Sequence, residues 1–89
     1  MTPEGKIQAK IKRILEGKGY TVVKVIQLSR NGYPDIMAMK DGRTVWVEAK
    51  AEGQKPRPTQ LLRLRQLRDN GFTAFWTDLK INADILNNI

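Results

Sequence analysis

Asn31-Gly32-Tyr33-Pro34-Asp35-Ile36-Met37-Ala38-Met39-Lys40-Asp41-Gly42-Arg43-Thr44-Val45-Trp46-Val47-Glu48-Ala49-Lys50 is the stretch whose reading decides the fold. Asp41-Gly42, after Lys40, is a tight-turn signal between two apolar runs. The runs themselves, Asp35 to Met39 and Arg43 to Ala51, read as neighbouring strands of one hairpin. Side chains alternate across a strand, so Thr44, Trp46, Glu48 and Lys50 share one face, and Val45, Val47 and Ala49 the other. Asp35 lies with Met37 and Met39. The hairpin therefore lets Asp35 and the Glu48–Lys50 pair converge on one edge.

Outward from this hairpin, the pattern extends in both directions. Thr2 caps a first helix with Pro3 in its first turn, where the missing N–H is not needed. Ile7, Ile11, Ile14 and Leu15 recur at helical spacing, and Gly17 and Gly19 supply the stop. Tyr20 to Leu28, rich in Val and Ile, reads as a strand, followed by a turn at Asn31-Gly32. After the hairpin comes a loop from Glu52 to Arg57, broken by Gly53 and Pro56. A second helix runs from Pro58 or Thr59 to Asp69 and ends at Asn70-Gly71. Phe72 to Trp76 is a fourth strand, and Thr77 or Asp78 is the expected cap of a short C-terminal helix. The expected class is α/β in the order α-β-β-β-α-β-α, with a central mixed sheet flanked by helices. The 89 residues have room for one core only, a single domain over residues 1–89.

Sixteen Lys and Arg stand against nine acids, a net charge of +7. An excess of that size on so small a domain favours a polyanionic partner, with nucleic acid ahead of an anionic membrane. There is no Cys and no His. Their absence excludes disulfides, thiolate metal sites, imidazole acid–base chemistry and Ser-His or Cys-His nucleophiles. Any bound metal must be held by oxygen, which points to magnesium or manganese. Met1-Thr2-Pro3-Glu4 does not open a secretory signal, and no apolar run approaches the ~18 residues of a membrane span. The expected location is the cytoplasm.

Acids inside a basic surface repel phosphates unless a divalent cation sits between them. Magnesium held by one or two carboxylates, with water and phosphate oxygens completing its shell, fits Asp35 and Glu48. Lys50 would then lie beside a water on the cation, either orienting or deprotonating it, or stabilising charge on the phosphate. Alone, Glu48-Ala49-Lys50 reads as an ordinary solvated ion pair. Glu4 precedes Ile7, Ile11 and Leu15 at helical spacing, so it either faces inward towards the site or complements the helix dipole from water. Gln60 stands likewise ahead of Leu64 and Leu67, either serving the site or fraying the first turn. Lys55, Arg57, Arg63, Arg65 and Arg68 surround the second helix as candidate phosphate contacts. Arg30 and Asn31, with Tyr33, lie just before Asp35 and could touch the scissile strand.

Taken together, Pro34-Asp35 and, after twelve intervening residues, Glu48-Ala49-Lys50 resemble the PD-(D/E)xK motif of restriction-endonuclease-like nucleases. The wider set resembles the VRR-NUC (virus-type replication-repair nuclease) domain. It adds Glu4, Asn31-Gly32 and Gln60 in the right order, over roughly residues 2 to 77. The resemblance implies a magnesium- or manganese-dependent DNA endonuclease. Asp35, Glu48 and the Ala49 backbone carbonyl would bind metal, Lys50 would assist the water, and Glu4 (through water) and Gln60 would complete the site. It also implies likeness to stand-alone, phage-type members, which act as homodimers on branched DNA such as Holliday junctions, in a bacterial or phage-infected cell.

Symmetry points the same way, because resolving a four-way junction needs two symmetric cuts and a two-fold dimer supplies two sites. Trp46, Phe75, Trp76 and the Ile81–Ile85–Leu86–Ile89 stripe are the candidate interface, the stripe first. The alternatives are a nuclease of this fold acting on flaps or linear duplex, and a non-catalytic DNA-binding module whose acids are structural. Convergence of Asp35, Glu48 and Lys50 discriminates against the last.

Overall fold

The computed structural model describes residues 1–89. Its elements run α1 (Pro3–Gly17), β1 (Thr21–Lys24), β2 (Ile36–Lys40), β3 (Arg43–Ala49), α2 (Pro58–Asp69), β4 (Thr73–Thr77) and α3 (Ala83–Asn88). The strands form one sheet in the order β1-β2-β3-β4. β1–β2 and β2–β3 pair antiparallel, and β4 joins β3 in parallel after the α2 crossover. This is the expected α-β-β-β-α-β-α order around a mixed sheet. No helix is long and apolar enough to cross a membrane.

The β2–β3 turn follows from its two residues: Asp41 and Gly42 take φ of 51° and 77°, the double positive φ of a two-residue hairpin. It sets Met37 opposite Trp46 and Ile36 opposite Val47. The sheet therefore has two different apolar faces. Ile36, Ala38, Val45, Val47 and Ala49 face α1, whose Ile11 and Leu15 are fully buried against them. Burial of that kind contributes roughly 1.5–3 kcal/mol per large side chain. On the other face Trp46, Trp76 and Tyr33 pack with Ala74 and with Leu64 and Leu67 of α2.

Several expected boundaries move, each for a local reason. The first strand ends at Lys24, not Leu28, because its only partner begins at Ile36. One further bond, Val25 N–H to the Asp35 carbonyl at 2.8 Å, closes the ladder. Pro34, next in line on the partner side, has no N–H to offer. β2 starts at Ile36 and ends at Lys40, so Asp35 sits just outside the ladder. β3 ends at Ala49, before Ala51, although the Lys50 N–H still bonds the Thr77 carbonyl. β4 is shifted by one residue, to Thr73–Thr77.

The C-terminal helix is capped at Asn82 and not at Thr77 or Asp78. Those two side chains hold the preceding turn instead. Asp78 Oδ1 accepts from the Lys80 and Ile81 N–H groups, and Thr77 Oγ1 accepts from Leu79 N–H. The apolar stripe of α3 enters the core after all. Leu86 is buried, Ile85 and Ile89 pack on the α1-side cluster, and only Ile81 remains exposed. Phe75 is also core. The short α3 thus helps to close the hydrophobic core, which takes Leu86 out of the candidate interface.

Candidate active site

The PD…ExK residues meet at one end of the sheet, where the first turns of α1 and α2 also arrive. Asp35 lies just before β2 and Glu48 near the end of β3, while Lys50 follows that strand directly. Asp35 Oδ1 accepts from the Ala49 N–H at 3.1 Å, so the two motif halves are joined by a bond. Lys50 Nζ lies 3.2 Å from Glu48 Oε2 and 3.8 Å from Glu4 Oε1. The expected convergence of Asp35, Glu48 and Lys50 is present, with Glu4 at the half-exposed rim.

Each helix contributes an amide that grips one carboxylate. Gln60 Nε2 donates to Glu48 Oε2 at 3.1 Å. Its own Oε1 accepts from the Arg57 N–H at 2.8 Å, half of a capping box at the start of α2. The cap therefore fixes which way the amide points: oxygen to the backbone, nitrogen to the acid. Gln8, one turn after Glu4, donates from Nε2 to Asp35 Oδ2 at 2.6 Å. Gln8 was not among the residues the sequence singled out. Its signal was available, since it stands four residues after Glu4 on the same helical face.

Burial makes these acids reluctant to ionise. Glu48 is only 4% exposed. Desolvation, and then the charge of Asp35, push its carboxyl from 4.5 up to about 7, against the lowering pull of Lys50. The Asp35 carboxyl is also raised, chiefly by burial, although Gln8 and the Ala49 N–H oppose the shift. A divalent cation between them would relieve both burial and mutual repulsion. The donors are all oxygen, so they fit a hard cation such as magnesium or manganese. No three Asp, Glu, His or Cys side chains gather closely enough to cage a metal by themselves. A cation here would thus keep water and substrate oxygens in its shell, which is magnesium's habit.

The expected phosphate-binding residues divide into two kinds. Arg30, Lys55 and Arg57 are exposed. Arg65 is exposed too, with only a loose 4.0 Å contact to Asp69. Arg63 and Arg68 have structural duties. Arg63 Nε donates to the Asn31 carbonyl at 2.8 Å and its guanidinium lies 5.2 Å from the Tyr33 ring centre. Arg68 donates to the Ala74 carbonyl on the outer edge of β4. Asn31 is thereby tied to α2 through its backbone, leaving its side chain exposed.

Fold and site together define a restriction-endonuclease-like α/β domain with a complete PD…ExK end. A solved structure described as a VRR_NUC domain superposes on this chain with a TM-score of 0.79. Sequence identity to it is 30%, over 96% of this chain and 96% of that one. The chain belongs to the VRR_NUC domain family, and that membership supports a nuclease-type function. No protein-family model and no curated protein matches the sequence.

Proposed function

We propose that this protein is a metal-dependent, structure-specific DNA endonuclease that cuts branched DNA as a homodimer. The observation that carries the reading is the meeting of Asp35, Glu48, Lys50 and Glu4 in a chain of net charge +7. One buried and one half-buried acid, both with raised carboxyl pKa, are a liability in a plain DNA-binding module. They are useful where a cation must be taken up.

Asp35 and Glu48, with the Ala49 carbonyl, would hold the cation, and Glu4 would reach it through water. When bound, the cation supplies Lewis-acid polarisation of the scissile phosphate and lowers the acidity barrier of a nearby water. The other groups position and neutralise. Gln8 and Gln60 each grip one carboxylate, so both acids are pre-set before substrate arrives. Lys50 Nζ, beside Glu48, orients the attacking water and offsets negative charge as the new P–O bond forms and the leaving oxygen departs. Arg30, Lys55, Arg57 and Arg65 supply phosphate contacts around the site, with Arg63 and Arg68 contributing charge from fixed positions.

A two-fold dimer would present two such sites to one junction. With Phe75 and Leu86 in the core, Trp46, Trp76, Ile81, Ile85 and Ile89 keep partial exposure and are what remains of the candidate interface. The test is a panel of labelled linear, nicked, flapped and four-way DNA, with magnesium or with EDTA, alongside sedimentation at micromolar protein. Magnesium-dependent cutting strongest on the four-way substrate, by a dimer, is the expected result. Cutting of flaps alone by a monomer would replace the junction reading, and no cutting of any DNA would overturn the nuclease reading.

A further inference from the structure

The segment between β1 and Asp35 carries two apolar side chains that the core does not use. Ile26 is 88% exposed and Leu28 is 47% exposed. They alternate with Gln27 at the tip of a loop flanked by Lys24 and Arg30, both exposed and with no ion-pair partner. Residues 20–34 contain no Asp or Glu. Both ends of the loop are fixed. At one end the Val25 N–H bonds the Asp35 carbonyl at 2.8 Å. At the other, Arg63 holds the Asn31 carbonyl and Gly32 packs on Thr59 of α2. The tip is therefore carried in a set relation to a catalytic carboxylate.

We infer that Ile26 and Leu28 form an apolar wedge that enters the base stack at a branch point of the DNA, next to the phosphate being cut. The inference rests on DNA being the substrate, and it names what would read the branch. Aliphatic side chains of this kind can separate base steps, at a cost in unstacking energy. That cost is least where pairing or stacking is already broken, as at a junction. Lys24 and Arg30 supply the phosphate contacts on either side, so the loop matches the charge of DNA as well as its shape. The wedge also explains selection by shape without a helix that reads base edges.

The experiment uses the intact protein and a four-way junction with 2-aminopurine at the branch, in EDTA so that nothing is cut. Wild-type protein should raise the fluorescence roughly twofold as the base unstacks. The double variant Ile26→Ser/Leu28→Ser should lose that rise while binding within about threefold of wild type, since the flanking cations remain. Ile26→Met/Leu28→Met should keep it, and all three proteins should melt within about 2 °C of each other, as exposed substitutions do. No rise with wild type, or an equal rise with the Ser variant, overturns the wedge. A Ser variant that sediments as a smaller species than wild type also overturns it, in favour of an interface between copies. Failure of the nuclease reading shows up separately, as DNA left uncut in magnesium whatever the fluorescence does.

Discussion

Glu48 is held by groups that pull in opposite directions. Lys50 and Gln60 stabilise its charge, while burial and Asp35 disfavour it, and the second pair wins. The consequence for metal-free protein is a pH dependence with a definite sign. A carboxyl raised from 4.5 to about 7 on folding binds a proton that the unfolded chain has already released. Its contribution to stability is complete below 4.5 and is lost as pH rises through 7, with Asp35 acting in the same direction. In EDTA, stability should fall by on the order of 2–3 kcal/mol between pH 5 and 7.5. Glu48→Gln should flatten that fall, and magnesium should stabilise wild type more at pH 7.5 than at pH 5. Thermal melts that rise with pH over this window in EDTA would contradict the account.

Lys50 belongs to the same scale. Its ammonium sits between Glu48 and Glu4, and the proposed mechanism has it act on the reaction more than on affinity. Lys50→Ala should lower the single-turnover rate at saturating DNA and magnesium about a hundredfold, with affinity changed only a few-fold. A loss confined to affinity would make Lys50 a phosphate contact.

Among elements, α2 shows how one amide can serve both a helix cap and a site. The same turn has a second constraint at Gly32, where φ is 88° and an added Cβ would lie 2.7 Å from Thr59 Cγ2 and 3.0 Å from the Thr59 carbonyl. Gly32→Ala should destabilise the protein by about 2 kcal/mol and push the loop before Asp35 off α2. An unchanged melting temperature would mean that the loop is not pinned there. Asn31-Gly32 was legible in the sequence as a turn, but not this packing role, which depends on a contact 27 positions away, at Thr59.

The hairpin, both long helices and the convergence of Asp35, Glu48 and Lys50 could be read because local signals and strand alternation coincide there. β1 could not be bounded, since its length is set by where its partner stops. Ile26 and Leu28 look like strand in isolation and have nothing to pair with. The α3 stripe was misjudged for a related reason: its destination, the gap left beside α1, exists only once the sheet is formed. Gln8 shared the Glu4 face of α1, but its bond to Asp35 depends on how α1 is set against the sheet.

For the molecule as a whole, a net charge of +7 is combined with a cluster of acids at one end of the sheet, and the proposed cation would reconcile those acids with DNA phosphates. The basic surface should make DNA affinity fall steeply with salt, with a log–log slope reduced by about two in the Lys55→Ala/Arg57→Ala double variant. A slope unaffected by both changes would move the phosphate track elsewhere on the surface. In the proposed mechanism Asp35 and Glu48 form the metal-dependent cutting centre. The most direct test compares wild type with Glu48→Gln on one four-way junction, measuring cleavage in magnesium and binding in EDTA side by side. The variant should lose cleavage, with binding equal or tighter because a buried negative charge is gone. Cleavage by Glu48→Gln at the wild-type rate would contradict the mechanism.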